Sequence, residues 1–346
     1  MSDARGDGGS FGLPRQTTIY DVAKAAGVSP STVSRTFSRP GRVANRTAAH
    51  IRKVAAELGY RTDRVYQQAV PTHTHMIGLA VTDATNPFFF PLLRGAEQVC
   101  TRHGYAMVLF DAQESGPRER EIFERALPVL DGVVVTSSRL SDTALRGFAK
   151  KVPTVVLNRV VAGLPCVVSD YERGVRRALE HLVELGHRRV AYIAGPPASW
   201  ADGARWRAFH EAATGLDMVD CKLGPVMPTV RGGEQALPQV RERKVTAVVA
   251  YNDLIAIGVL RGMAAAGMRV PDRLSVIGFD NIFASDLVTP RLTSIASPLG
   301  LVGEKAARSV LSLIERHDEP ADFMEPVIMP MRLIERGSTG PARVEV

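Results

Sequence analysis

From residue 76 to residue 279 the chain repeats one pattern: a short unbroken apolar run, then a longer stretch with helical periodicity. The runs are MIGLAV (76–81), YAMVLF (105–110), GVVVT (132–136), PTVVL (153–157), RVAYIA (189–194), TAVVA (246–250) and LSVIGF (274–279), with a weaker strand expected at 223–227. Helices are predicted at 88–103, 117–127, 141–149, 172–185, 203–214, 231–241 and 253–266. Strands that are apolar throughout need cover on both faces, and helices between them supply it, so the pattern demands parallel α/β sheets. Two such series imply two sheets and hence two lobes, with the chain crossing near Val167–Asp170 and returning near Ala296–Pro298. A chain of 346 residues with 45% hydrophobic and 23% charged residues can bury cores of that size, and it is long enough for two or three domains.

In open α/β sheets, ligands bind beyond the carboxyl ends of the strands. Those ends carry Asp83 to Phe89, Asp111, Ser137-Ser138, Asn158-Arg159, Gly195-Pro196, Asn252-Asp253 and Asp280-Asn281. Carboxylates, amides and guanidinium groups suit hydroxyl recognition, while Phe88, Phe89 and Phe90 offer apolar faces. Taken singly, each is also explained as a helix cap or as packing at a helix start. Their recurrence at successive strand ends favours a polar ring around a binding cleft.

The stretch Thr18–Tyr60 follows a different rule. Thr18 with Asp21 three residues on forms a capping box, so a helix should start at Ile19, run through Val22 and Ala26, and stop at Gly27. After Val28, Ser29 is a good N-cap and Pro30 suits the first helical position. Two short helices joined around a glycine are a helix-turn-helix signature. On the second helix Val33 and Phe37 share one side, flanked by Pro30 and Thr36, while Ser31 and Arg35 lie opposite. That small hydroxylated face can enter a major groove and present Arg35 to a guanine edge. A third helix carries Ile51, Val54, Ala55 and Leu58 on one face and is closed by Gly59. Charge agrees: residues 1–70 hold 11 Lys/Arg against 5 Asp/Glu, so +6 of the net +7 sits on one fifth of the chain.

The run TIYDVAKAAGVSPSTVSRTFSRPGRVANRT resembles the DNA-binding headpiece of the lactose/galactose repressor (LacI/GalR) family. The resemblance continues to the tail RLIERGST and covers all but about the first 16 residues. It implies a transcription regulator, most often a repressor, with an all-α helix-turn-helix headpiece and a two-lobed core like that of periplasmic binding proteins. Domains are expected at 17–60 (headpiece), 61–74 (hinge) and 75–346 (core), after a disordered tail over 1–16. Lobe one takes 75–168 and 298–332, completed by a helix at 300–315 and a strand around Pro326–Met331; lobe two takes 169–297.

Carried over residue by residue, the resemblance implies operator contacts from Thr18, Tyr20, Ser29, Pro30, Ser31, Thr32, Ser34, Arg35, Arg42, Arg46, Tyr60, Arg64 and Ala69. The hinge departs from the family's pattern: Thr62, Asp63, Tyr66 and Ala69 stand where proline, asparagine, alanine and leucine are usual. Ala69 is too small to wedge open a base step as leucine does. Effector contacts are expected from Asp83, Phe88, Phe89, Asp111, Asn158, Arg159, Arg205, Trp206, Asn252, Asp253 and Asp280. Asn158 replaces the aspartate of sugar-responsive members, and Tyr171 replaces an asparagine, which should narrow or reshape the cleft. Trp206 has two readings, stacking on a ligand or filling the core.

The expected partners are a palindromic double-stranded operator, a sugar or related polyhydroxylated effector, and a second copy of the chain. A dimer is expected because no leucine-heptad tail follows Thr339. No cofactor and no metal are expected: Cys100, Cys166 and Cys221 are scattered, and His73, His75, His103, His181 and His187 read as surface or capping residues. With no signal peptide and no run of 18 apolar residues, the expected location is cytoplasmic, without a membrane partner. A solute-binding protein is the competing class, which the headpiece argues against. An enzyme is disfavoured because no dinucleotide or P-loop glycine pattern follows a strand.

Overall fold

The computed structural model describes residues 17–38, 41–58, 60, 73–316 and 325–342. The expectations placed on 1–16, on Gly59 and on the hinge, including Thr62, Asp63, Arg64, Tyr66 and Ala69, lie outside the described residues. The chain divides into two units, Met1–His73 and Thr74–Val346.

The first unit holds α1 (Ile19–Ala26), α2 (Pro30–Ser38) and α3 (Asn45–Glu57). Val22, Val33 and Ile51, one from each helix, are fully buried at its centre, with Ala23, Ala26 and Ala55 filling in between them. Such small side chains let three short helices approach closely around a minimal core. Tyr60 covers the edge, its ring 6.1 Å from Phe37.

Among the described residues, the second unit holds two six-stranded sheets. The first contains β1 (Met76–Val81), β2 (Ala106–Asp111), β3 (Gly132–Thr136), β4 (Thr154–Leu157), β5 (Cys166–Ser169) and β11 (Val327–Met329) in the order β11-β5-β4-β3-β1-β2, all parallel. The second contains β6 (Arg189–Ile193), β7 (Val219–Leu223), β8 (Ala247–Ala250), β9 (Ser275–Phe279), β10 (Thr293–Ala296) and β12 (Arg332–Ile334) in the order β12-β10-β9-β8-β6-β7. Only β12 runs antiparallel, against β10. Helices cover both faces. In the first lobe α4 (Phe89–Arg102) crosses α11 (Leu299–Glu315) so closely that a Cβ on Gly303 would lie 2.0 Å from the Leu92 carbonyl, so only glycine fits there. No described helix is long and apolar enough to cross a membrane.

The chain passes between the lobes three times. It leaves the first sheet after β5 to start α7 (Tyr171–Glu184), returns after β10 to start α11, and crosses again between β11 and β12. Ser169 and Ser297 on two of these crossings share a hydroxyl hydrogen bond of 3.1 Å.

Four sequence expectations need correction. The strand expected at 223–227 is β7 at Val219–Leu223; it is an edge strand, exposed or half-exposed except at Leu223, and the apolar residues after it follow the turn at Gly224. The strands β5, just before the crossing at Asp170, and β10, just before the return at Ser297, went unpredicted. Lobe one ends before Arg332, because β12 and the tail behind it belong to the second sheet. His181 and His187 are buried and hold that tail: His181 Nε2 meets the Thr339 hydroxyl at 3.0 Å, and His187 Nε2 meets the Gly340 carbonyl at 3.0 Å. Burial lowers the pKa of His187, which keeps it neutral among its hydroxyl and carbonyl partners.

Candidate functional site

The headpiece builds a polar face on rigid caps. Thr18 N–H donates to Asp21 at 2.7 Å while the Asp21 amide donates back to Thr18 Oγ1 at 3.4 Å, closing the capping box. Gly27 takes φ 66° and ends α1, as the turn requires. Ser29 Oγ accepts the Thr32 amide at 3.2 Å, capping α2. The turn thus aims α2 with Val33 and Thr36 inward and Ser31 and Arg35 outward. Thr18, Tyr20, Ser29, Ser31, Arg35, Arg42 and Arg46 are exposed, while Pro30, Thr32, Ser34 and Tyr60 are half-buried. Arg35, Arg42 and Arg46 make no hydrogen bond or ion pair among the described residues. Ser29 is committed in part to Ser31 and Thr32, each at 2.8 Å between hydroxyl oxygens.

In the core, the carboxyl ends of the two sheets face each other across a cleft. The first lobe lines it with Thr82, Asn86, Phe88 and Phe89 after β1, Glu114 after β2, Ser137 after β3 and Asn158 after β4. The second lines it with Ala201 after β6, Pro228 after β7, Tyr251 and Asn252 after β8, and Asp280 after β9. Ser137, Asn158 and Asp280 have φ of 53°, 59° and 105°, a region that non-glycine residues seldom occupy. Backbone held there by its surroundings is characteristic of functional sites.

Arg205, on α8 (Trp200–Gly215), organises the second-lobe wall. Its guanidinium donates to the Tyr251 carbonyl and, at 3.1 Å, to Asp280. The guanidinium carbon lies 3.8 Å from the Phe279 ring centroid and 5.0 Å from that of Tyr251, so aromatic faces supply part of its solvation. Burial alone would lower the Arg205 pKa, but the Asp280 carboxylate beside it raises it on balance. Burial pushes the Asp280 carboxyl up to about 7, against the pull of Arg205. Tyr251 lies flat under Gly195, where a Cβ would sit 2.6 Å from its ring, and its hydroxyl meets Ser199 at 3.0 Å.

The opposite wall is braced differently. Phe88 and Phe89 meet edge to face at 5.0 Å. Asn158 donates to Ser137 Oγ at 3.2 Å. Glu114 is held by Arg139 through bonds of 2.9 and 2.6 Å, and the Arg139 amide donates to the buried Glu119 carboxylate at 2.9 Å. Between the walls the free volume is about 20 Å³. A sugar-sized ligand requires more than about ten times that, since small-molecule pockets run to roughly 300–1,000 Å³. The structure is therefore closed, and entry requires the lobes to part.

The fold brings together six of the eleven expected effector residues: Phe88, Phe89, Asn158, Arg205, Asn252 and Asp280. The other five do not line the cleft. Asp83 folds back on Thr85, and Asp111 accepts the amides of Ala84 and Gln113, so both brace loops. Arg159 donates to the Leu140 carbonyl and to Asp142 within the first lobe. Asp253 lies beneath the surface, accepting from the Ile282 amide at 2.8 Å and from Ser285 and Ser294 at 2.6 and 2.7 Å. Burial raises its carboxyl to about 6 against those three donors. Trp206 is half-buried at the edge of the core, stacked at 5.9 Å on buried Phe209 and at 5.6 Å on exposed His210. Tyr171 does not narrow the cleft either; it is buried beside Phe279, ring to ring at 5.9 Å. Thr82, Glu114, Ala201, Pro228 and Tyr251 are the lining residues that sequence reasoning missed. Tyr251 had a signal, as the first residue past β8, whereas Glu114 is placed only by its ion pair.

Comparisons with known proteins find relatives for both units of the chain. Residues 18–63 match the family described as bacterial regulatory proteins, lacI family, and residues 179–339 match the periplasmic binding protein-like domain. The HTH-type transcriptional regulator DegA of Bacillus subtilis (strain 168) is 30% identical over 337 residues, spanning 94% of this chain and 99% of the relative. Among solved structures, the lac repressor dimer bound to operator and the anti-inducer ONPF aligns with a TM-score of 0.70 at 25% identity, covering 94% of this chain and all of that one. A LacI family regulator from Enterococcus faecalis V583 with bound ribose aligns with a TM-score of 0.69 at 32% identity, covering 78% of this chain and 100% of that one.

Proposed function

The chain belongs to the LacI family of bacterial regulatory proteins, and on that footing we propose that it binds a palindromic operator as a homodimer and changes its grip in response to a sugar held between the core lobes. It is a DNA-binding transcriptional regulator and not an enzyme. The observation that carries the proposal is the pairing, in one chain, of an outward Arg35 and a closed two-lobed cleft lined by strand-end polar groups.

Arg35 would read guanine O6 and N7 in each half-site, while Arg42 and Arg46 neutralise phosphates. In the cleft, Phe88, Phe89 and Tyr251 offer apolar faces to a sugar ring. Asn86, Asn158, Asn252 and Asp280 offer hydroxyl partners, with Arg205 holding Asp280 in place. A ligand that touches both lobes fixes their angle, and that angle would set the spacing of two headpieces on successive major grooves. Such coupling is typically about 1–3 kcal/mol and depends only on differential affinity for the two arrangements. An apolar groove along the edge strand β2, lined by Phe110, Ile122, Val129 and Leu130, supports dimer formation through the first lobe.

The test is selection of operator sequences from random DNA by the full chain, followed by operator titration with each sugar that binds by calorimetry. Failure to enrich a two-fold symmetric site would overturn the DNA reading. Enrichment without any sugar-dependent change in affinity would overturn the effector reading alone.

A further inference from the structure

A second groove, of about 690 Å³, lies away from the cleft along the first half of α7 and the strand β12. Helical spacing puts Arg173, Arg176 and Arg177 at i, i+3 and i+4, and β12 adds Arg332 beside them. Arg177 is compensated, lying 3.6 Å from Glu180 and 3.5 Å from Glu184. Arg173, Arg176 and Arg332 make no side-chain hydrogen bond or ion pair among the described residues. Asp170 is committed to capping α7, accepting the Arg173 amide at 3.0 Å. Asp170 and Glu172 line the same groove, so Arg173, Arg176 and Arg332 together leave a positive excess there, above a floor that includes buried Met331. Like charges gathered beside apolar surface repel one another, and a compact anion in their midst relieves that repulsion.

We propose that this groove is a second ligand site, distinct from the cleft, that takes a small phosphate-bearing anion between Arg173, Arg176 and Arg332. Planar guanidinium forks from two elements match the several oxygens of a phosphoryl group better than the two of a carboxylate. The site's position gives it a consequence. Asp170 follows β5 and Met331 separates β11 from β12, so the groove sits on two of the three chain crossings between the lobes. An anion bound there stiffens the crossings and biases the lobe angle; this consequence, unlike the binding itself, rests on the regulatory reading above.

The experiment titrates the full chain with inorganic pyrophosphate by calorimetry, at constant ionic strength held with sodium chloride. Saturable binding is expected, and Arg176→Gln combined with Arg332→Gln should weaken it roughly tenfold or more. Both positions are exposed, and an unchanged ligand-free melting temperature checks that the fold is intact. Phe89→Ala in the cleft and Arg42→Gln in the headpiece should each leave pyrophosphate affinity within about twofold. The proposal is overturned if pyrophosphate binds no better than chloride, if the double variant binds like the parent, or if either control variant abolishes binding. Because none of these readouts involves operator DNA, they stand or fall separately from the regulatory function.

Discussion

Arg205 donates to Asp280 at 3.1 Å in the interior of the second lobe, where the two residues are 5% and 6% exposed. Removing one partner of a buried pair leaves the other uncompensated, typically at a cost of about 3–5 kcal/mol. Asp280 can escape part of that cost by taking up a proton. Arg205→Ala should therefore destabilise the core by roughly 2–4 kcal/mol at pH 8 and by less at pH 6. Urea denaturation at the two pH values measures this, and an equal loss at both would refute the coupling.

The wild-type core should itself depend on pH in a definite direction. Asp280 stands near 7 and Asp253 near 6, both above the value of 3.8 expected when unfolded. Between those values the unfolded chain releases protons that the folded chain keeps. Their contribution to stability is thus complete below about pH 4 and is lost as pH rises through 6 and 7, by up to about 1.4 kcal/mol per pH unit for each group. Asp280→Asn keeps an acceptor for Arg205 and removes one titration, so its denaturation midpoint should vary less between pH 5 and 8. Parallel curves for variant and parent would sink the assignment.

Asp253 and Asn158 should separate structure from recognition. Asp253→Ala strands the Ile282 amide and the Ser285 and Ser294 hydroxyls, which at about 1 kcal/mol or more each costs ~3 kcal/mol of core stability. Effector affinity of the protein that remains folded should change little. Asn158→Ala should do the reverse, lowering effector affinity about tenfold with a small change in melting temperature. Thermal melts paired with calorimetry on the identified sugar decide it. A loss of effector binding in stable Asp253→Ala protein would return that carboxylate to the cleft.

On the operator, Arg35→Ala should cost roughly 1–3 kcal/mol per half-site and relax preference at one base pair. Arg42→Gln and Arg46→Gln should weaken all sequences alike and flatten the dependence of affinity on salt. Titration of each variant against operators mutated singly, at two salt concentrations, distinguishes the roles. If Arg35→Ala lowers affinity without altering base preference, the residue contacts phosphate and the reading of α2 is wrong.

Local chemistry decided much of this protein before any tertiary contact formed. Thr18 and Asp21 are three residues apart, Ser29 and Thr32 likewise, and these short-range bonds place α1 and α2 wherever the chain goes next. The unbroken apolar runs could be satisfied only by parallel sheets, and strand ends by their nature share one edge. For that reason the polar ring was legible as a set. Which members turn into the cleft was not. Asn252 and Asp253 are neighbours, yet one lines the cleft while the other is drawn inward by donors 29, 32 and 41 residues away. The strands β5 (CVVS) and β10 (TSIA) carry polar residues that interrupt the apolar run, unlike β4 and β8 of the same length; the partners that define them come from distant parts of the chain. The buried roles of His181 and His187 likewise depend on a tail more than 150 residues away in sequence. Hydrogen bonds within one helical turn can be read along the chain, whereas a side chain's direction at a strand end is set by whichever distant donor or aromatic face the fold brings beside it.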